Sequence, residues 1–525
     1  VHEVETVVLL FAVIAVVGAL SHRIKIALPI LLVFAGMIIS LTPNMPQVKL
    51  EPDIVFFMFL PPLLYVDAFA SSWKKLRNVA EIIALLAIGL VLLTVAVVGS
   101  AIHAIVPNMP WSAALAFGAI VSPTDAVAAS SIAAEVNLPR RTVDILKGES
   151  LVNDATGLVA YQFAVAATLT GAFSWYAAGL KFLYAGFGGI LVGLVLGWML
   201  GRLRTRLNDK PVEIVVSLIS PFILYLSAEH LQVSSVLAVV TGGLWLGWRA
   251  PTMITYETRL ATQANWESIA YSLNGLSFLM MGLQLKSIIQ TIDSYPADQL
   301  ILWTLTAALV PVLIRFAWLF TVSPLYNRIK GIPPVEWKRL FIVGWSGMRG
   351  VVSLAAALAL PLLCADGTPF PHRSLIIFLT VAVIASTLVF QGITLPYFIK
   401  AFKFDDQDQA NDAEVERKAR QYLCREAVRR IDELARERNI DLEDEHLQRL
   451  LNRYLDTLMQ SHTATPDMSR GGTYHLLQHE SIISQRKVLI EIRRTHEIDE
   501  DIFLMLQREL DHEEAQLARE HTAHT

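Results

Sequence analysis

The chain is short of charge over most of its length, short of cysteine throughout, and lacks any strongly basic region. Of 525 residues, 17% are charged and 54% apolar, where soluble chains hold about 25% and 45–50%. Residues 1–400 carry 25 Lys+Arg and 20 Asp+Glu, against 18 and 27 in residues 401–525, giving net charges of +5 and −9. So sparse a charge over 400 residues excludes an ordinary soluble fold there, and the missing basic domain argues against a nucleic-acid partner. The two cysteines, Cys364 and Cys424, are expected on opposite sides of a bilayer, which excludes a disulfide between them and redox chemistry as the theme. A basic leader is also missing. The first apolar run begins among His2, Glu3 and Glu5 and reads as a permanent span, not a cleavable signal.

What the chain does have is apolar runs long enough to cross about 30 Å of hydrocarbon. They recur at 4–20, 26–41, 54–70, 79–106, 111–134, 147–170, 179–201, 212–231, 233–250, 266–286, 298–323, 338–362 and 373–400. Thirteen transmembrane helices are expected, making residues 1–400 a polytopic all-α membrane domain. Loops after the odd spans hold 18 basic residues, from Arg23 to Arg339, against four (Lys49, Lys181, Lys286 and Arg373) near the others. The positive-inside rule then puts the N-terminus outside and the C-terminus in the cytoplasm. Pro61-Pro62, Pro123 and the series Gly344, Gly347 and Gly350 are expected to interrupt spans 3, 5 and 12. Spans 5 and 12 are seven apart, an odd offset that makes them symmetry mates in two inverted repeats of the transporter kind. Residues 401–525 read as an acidic, helical, cytoplasmic tail with apolar positions every three to four residues, from Val415 to Leu434, regulatory or supporting a dimer.

Ionisable groups inside spans cost at least about 2.5–3.5 kcal/mol each, so each requires a partner or a task. The candidates are Asp67, Asp125, Glu149, Asp154, Arg315 and Arg349. In the run Gly148 to Asp154, helical spacing stacks Glu149 under Asn153 and Ser150 under Asp154, on different faces. Glu149 is expected to pair with Arg349. No cation is then left for Asp154, whose carboxylate needs an exchangeable one: a proton or a small metal ion. Thr124 and Ser150 offer hard oxygen ligands beside the Pro123 break, and Asn153 orients the site. Asp125 is either a ligand or an anchor for the positive end of a half-helix. Asp67 reads as an interface carboxylate or an outer member of the site, and Arg315 as a cation that snorkels to the cytoplasmic face.

Four motifs carry a family likeness: Phe56 to Phe69, Ser122 to Val127, Gly148 to Asp154 and Gly347 to Ala355. Over residues 1–400 the chain resembles the monovalent cation/proton antiporters, and within them the sodium/proton branch with bacterial NhaP-type and animal plasma-membrane exchangers. The resemblance implies a homodimer of crossed, broken helices whose core moves against a dimerisation domain in an elevator cycle. It also implies Asp154 as the carrier of Na⁺ and H⁺, Asn153 as its partner in an Asn-Asp pair, Glu149 with Arg349 as the core ion pair, and Thr124, Asp125 and Ser150 as the rest of the ion site. The expected activity is electroneutral exchange of one Na⁺, or Li⁺, for one H⁺ at the cell membrane, with no cofactor. Three rivals stand beside it. K⁺/H⁺ exchange would use the same site. An aspartyl protease would use Asp125 and Asp154, but its Gly-x-Gly-Asp context is absent. A sensor would act through a tail that holds eight of the 13 histidines, and the tail's partner or ligand is left open.

Overall fold

Apolar chain in lipid must satisfy its own backbone, and a helix does so within one segment. The computed structural model describes residues 2–24, 28–42, 52–71, 73–78, 80–125, 140–171, 175–207, 209–284, 295–331, 333–402, 407–438, 472–495 and 500–524, with a few positions between 447 and 454 and residue 498. In chain order its helices are α1 (His2–Ile24), α2 (Leu28–Leu41), α3 (Pro52–Ala70), α4 (Trp73–Asn78), α5 (Ala80–Ile105, with a π turn at Leu85–Leu90), α6 (Trp111–Val121), α7 (Arg140–Thr170), α8 (Trp175–Arg204), α9 (Lys210–His230), α10 (Ser235–Met253), α11 (Tyr256–Leu283), α12 (Ala297–Lys330), α13 (Trp337–Trp345), α14 (Val351–Leu358), α15 (Arg373–Phe402), α16 (Gln407–Glu437), α17 (Gly472–Thr495) and α18 (Glu500–His524).

Among the described residues, five helices are long and apolar enough to cross a membrane: Ala80–Ile105, Leu183–Arg204, Lys210–His230, Ala297–Lys330 and Arg373–Phe402. Others are shortened by breaks or diluted by polar residues. Span 5 stops at Val121, Ser122 to Asp125 are not helical, and its second half lies outside the described residues. Span 12 is two half-helices, α13 and α14, separated at Ser346 to Gly350. Span 3 departs from expectation, because α3 runs through Pro61 and Pro62 without interruption. Surrounding helices can support the backbone groups that prolines leave unpaired.

The chain divides into two units, Val1–Met253 with Asn265–Phe404, and Ile254–Ala264 with Asp405–Thr525. In the first, Tyr65, Phe117, Leu224, Leu279 and Leu375 belong to one continuous apolar core. Large apolar side chains also face outward from α8, α12 and α15, with Phe187 70%, Leu313 62% and Phe390 69% exposed. Faces like these would drive association in water; against lipid tails they are at home. In the second unit, α16 packs Ala419 and Leu423 against Ile482, Leu489, Phe503 and Leu506 of α17 and α18, and Arg420 donates two hydrogen bonds to Glu509 at 2.6 and 2.8 Å. The segment 254–264, which the hydropathy pattern assigns to a loop before span 10, belongs with this tail.

Small residues let helix backbones approach where no hydrophobic effect drives them together. Gly36 of α2 and Gly282 of α11 make such a contact: a Cβ at Gly36 would overlap the Leu279 carbonyl and lie 2.9 Å from the Gly282 Cα. Nothing lies within 4 Å of a Cβ at Gly179. Gly36→Leu should therefore lose about 1–3 kcal/mol by overpacking, read as a lower melting temperature in detergent, while Gly179→Leu should melt like the unsubstituted chain. Equal melting of the two variants would contradict the contact.

Candidate ion-binding site

A broken helix exposes carbonyls at one half-end and N–H groups at the other, and at membrane depth protein must satisfy both. Here the two breaks meet. The backbone N–H of Asp125 donates to the Met348 carbonyl at 2.7 Å. Arg349 extends from the second break to the end of α6, where its Nε donates to the Val121 carbonyl at 3.0 Å and its Nη1 to the Gly347 carbonyl. Its own N–H reaches Thr387 Oγ1 at 3.3 Å. The Arg349 cation thus sits at the negative end of a half-helix, where a dipole favours it. On the other side, Gly350 precedes α14, and a Cβ there would overlap the Asp125 carboxylate. The acid therefore lies at the positive start of α14, the anchoring position.

These contacts correct the expected Glu149–Arg349 pair. Glu149, 1% exposed, is bound by Arg315, whose Nη2 donates to Oε2 at 2.8 Å and whose Nη1 donates to Oε1. Arg315 also donates from Nε and Nη2 to the Val343 carbonyl at 3.1 and 3.0 Å. Arg349 instead donates to the Val121 and Gly347 carbonyls. The expectation that Arg315 snorkels fails for a simple reason. Its helix runs to Lys330, fifteen residues on and about 22 Å away at 1.5 Å per residue, beyond any side chain's reach. Gly347 makes the pairing feasible: a Cβ there would sit 2.7 Å from Arg315 Cδ.

Helix α7 separates its polar residues by face. Glu149 and Asn153, each 1% exposed, turn toward the break: Asn153 Nδ2 donates to Thr124 Oγ1 at 2.8 Å, and Thr124 Oγ1 donates to Glu149 Oε1 at 3.3 Å. Asn153 Oδ1 has no hydrogen-bond partner among the described residues. Ser150 and Asp154, one turn apart, face a cavity of about 30 Å³ lined also by Asp67, Thr124, Asp125, Asn274 and Ser353, room for a water-sized occupant. Asp154 is 8% exposed and makes no hydrogen bond or ion pair with another described residue. Asp67 is solvent-accessible. Among the described residues no three His, Cys, Asp or Glu side chains gather as a metal cluster.

The structure thus brings Asp154, Asp125, Thr124, Ser150 and Asp67 to one cavity and sets Glu149 and Asn153 behind it, with Arg349 at the helix break. The sequence reading missed Asn274, though an amide inside the apolar run 269–283 was a signal, and it misjudged Arg315. Removing one partner of a buried pair costs about 3–5 kcal/mol. Arg315→Ala should therefore destabilise the protein by that amount in thermal unfolding, and Glu149→Gln with Arg315→Met together by less. A double variant that loses the sum of what Glu149→Gln and Arg315→Met each lose singly would contradict the pairing.

Residues 9–401 match the family described as the transmembrane sodium/hydrogen exchanger. A Bacillus pumilus protein described as a sodium, potassium, lithium and rubidium/H⁺ antiporter is 35% identical over 448 residues, 82% of this chain and 66% of its own length. A similar Bacillus subtilis protein is also 35% identical, with 60% of its length matched, so the chain spans less than two thirds of the length of these two relatives. An Escherichia coli protein described as the uncharacterized Na⁺/H⁺ exchanger YjcE is 30% identical over 546 residues, 98% of this chain and 99% of that one. Among solved structures, the sodium proton antiporter MjNhaP1 from Methanocaldococcus jannaschii shares the fold with a TM-score of 0.63 at 20% identity, covering 76% of this chain and 97% of that one. With a match over most of its length and relatives aligned nearly end to end, the chain belongs to the sodium/hydrogen exchanger family, whose members are transporters and not enzymes.

Proposed function

We propose that this protein exchanges Na⁺ for H⁺ across the cell membrane, with the two ions competing for Asp154. One observation carries the reading: Asp154 lies in a cavity with hydroxyl and carboxylate neighbours while Arg315 and Arg349, the buried cations nearby, are engaged elsewhere. A carboxylate so placed must be neutralised by an ion that can leave. Unloaded, it would carry bare charge through low dielectric at a steep cost, and this prevents slippage. Ser150 and Thr124 supply oxygen ligands of the hard type alkali cations accept, Asn153 holds Thr124, Asp125 anchors α14, and Asp67 completes the acidic lining.

The architecture that goes with this reading has thirteen spans in two inverted repeats, with the N-terminus outside and the acidic tail in the cytoplasm. In a homodimer, the core helices around the breaks shift against a dimerisation domain. Proton-loaded and Na⁺-loaded forms bear the same charge, so the cycle is electroneutral and the membrane potential does no net work on it. A tenfold proton gradient then supplies about 1.36 kcal/mol.

A second reading, K⁺/H⁺ exchange at the same site, is supported by the printed description of the Bacillus pumilus relative, which names potassium and rubidium with sodium and lithium. Dissipation of a pH gradient in proteoliposomes by Na⁺, Li⁺ and K⁺ separates the two. The expected order places Na⁺ and Li⁺ above K⁺, with Asp154→Asn inactive for all three. Competition also predicts that the apparent Michaelis constant for Na⁺ rises as pH falls, approaching about tenfold per pH unit where the proton dominates. Coupled exchange by Asp154→Asn, or a current proportional to transport, would contradict the mechanism.

A further inference from the structure

Two groups that line the Asp154 cavity, Asn274 and Ser353, have no task in the exchange reading. Ser353 stands in the first turn of α14, the half-helix that Asp125 faces. Asn274 is different, because it is the one lining residue that comes from α11. It is half-buried and makes no hydrogen bond with another described residue. Polar side chains inside spans are normally used for bonds between helices, and an amide left without one is desolvated with nothing in exchange. Lining a cavity with three carboxylates, Asp67, Asp125 and Asp154, this amide has an occupant to meet instead.

Its position is set by the packing of α11. Gly275, the next residue, is seated on α1, where a Cβ would lie 2.9 Å from Ile14 Cγ2, and Gly282 on α2, where a Cβ would lie 2.8 Å from the Gly36 Cα. These glycines are seven apart and share a face, from which Asn274 projects about 100° round the helix. Toward the start of α11, Trp266 Nε1 donates to Ser217 Oγ of α9 at 3.0 Å. Backbone contacts thus fix where the amide stands.

A proton at Asp154 is held by one carboxylate oxygen. An alkali cation needs a shell of oxygens, and the number and field strength of those ligands decide how well it is held. The amide oxygen of an asparagine is a neutral acceptor, so it adds to such a shell without adding charge. We propose that Asn274 is a specificity-determining residue: its amide oxygen ligates the transported metal cation and not the proton, and so sets the balance between the two at Asp154. The inference rests on the exchanger reading of that cavity. Removing the oxygen weakens cation binding and leaves the acid that carries the proton in place.

The test replaces Asn274 in the full-length chain in proteoliposomes. In Asn274→Leu, which keeps the branched outline and removes the oxygen, the apparent Michaelis constant for Na⁺ should rise about tenfold, the equivalent of about 1.4 kcal/mol. Asn274→Ala leaves room for a water to stand in, and the rise should be about threefold. A rise confined to Asn274→Leu reports crowding and overturns the proposal. The factor should be the same at every pH, because a ligand of the cation alone does not move the pH at which protons begin to compete. Asp67, Asp125 and Asp154 are the titratable groups lining the cavity, and an amide acting through their acidity would shift that pH. Ser277→Ala, one turn along α11 where the hydroxyl bonds the Leu273 carbonyl of its own helix at 2.8 Å, should leave the constant unchanged. A shifted competition pH, or a lower maximal rate with an unaltered Michaelis constant, overturns the proposal. Melting supplies a readout apart from transport: a cation that binds the folded state raises the melting temperature, and Asn274→Leu should need about ten times more Na⁺ for the same rise. Equal Na⁺ titrations of the two proteins overturn the proposal whatever transport shows. If Na⁺ raises melting of the unsubstituted chain and yet no cation is exchanged for protons, the exchanger reading fails by itself, and the ligand assignment is decided by the melting titration.

Discussion

Charge inside a low-dielectric interior has to be matched locally, and the way this protein matches it organises everything around the cavity. Glu149 is neutralised by the two-pronged grip of Arg315, which also caps the Val343 carbonyl. Arg349 is used on carbonyl ends, those of Val121 and Gly347. Asp125 faces the start of α14 across Gly350, where a half-helix dipole provides partial positive charge. After these assignments Asp154 has no ion-pair partner among the described residues, the imbalance on which the proposed transport reading rests. Had Arg349 reached Glu149, the two half-helix ends would lack their cap and Arg315 would be the unmatched charge.

Backbone geometry makes the matching feasible. The two breaks are joined by the hydrogen bond from Asp125 to Met348, and the glycines at 347 and 350 clear space for the Arg315 side chain and the Asp125 carboxylate respectively. A side chain at either position would compete with a charged group for the same volume. Helix α7 then divides its polar residues by helical spacing, turning Glu149 and Asn153 to the fixed network and Ser150 and Asp154 to the cavity. The ion-paired carboxylate of Glu149 and the cavity-facing carboxylate of Asp154 are kept on separate faces of one helix, a separation that loop-borne residues would hold less firmly.

Much of this was legible in the sequence. Apolar runs give helices because lipid leaves the backbone no other partner, Pro123 and the glycines about 347 mark the breaks, and the run from Gly148 to Asp154 sorts itself onto two faces by angle alone. The positions of Asp154, Thr124 and Ser150 around one cavity follow from motifs that break or crowd a helix with oxygen. Pro61-Pro62 shows the limit of such marks, since α3 continues through them where neighbouring packing supplies what the prolines remove.

The sequence by itself determined the lipid-facing character of the first 400 residues, the acidic helical tail, the interrupted spans, and the presence of more buried acids than cations free to match them. Only the tertiary structure decided which cation meets which acid. Pairing depends on how far a helix continues past a residue and on the space left by a glycine in another segment, so Arg315 took the partner expected for Arg349, and Arg349 caps carbonyls instead. It also decided that 254–264 belongs with the tail, because the bond from Arg259 to Asp511 joins residues 252 apart, a separation at which hydropathy and local spacing carry no information about contact.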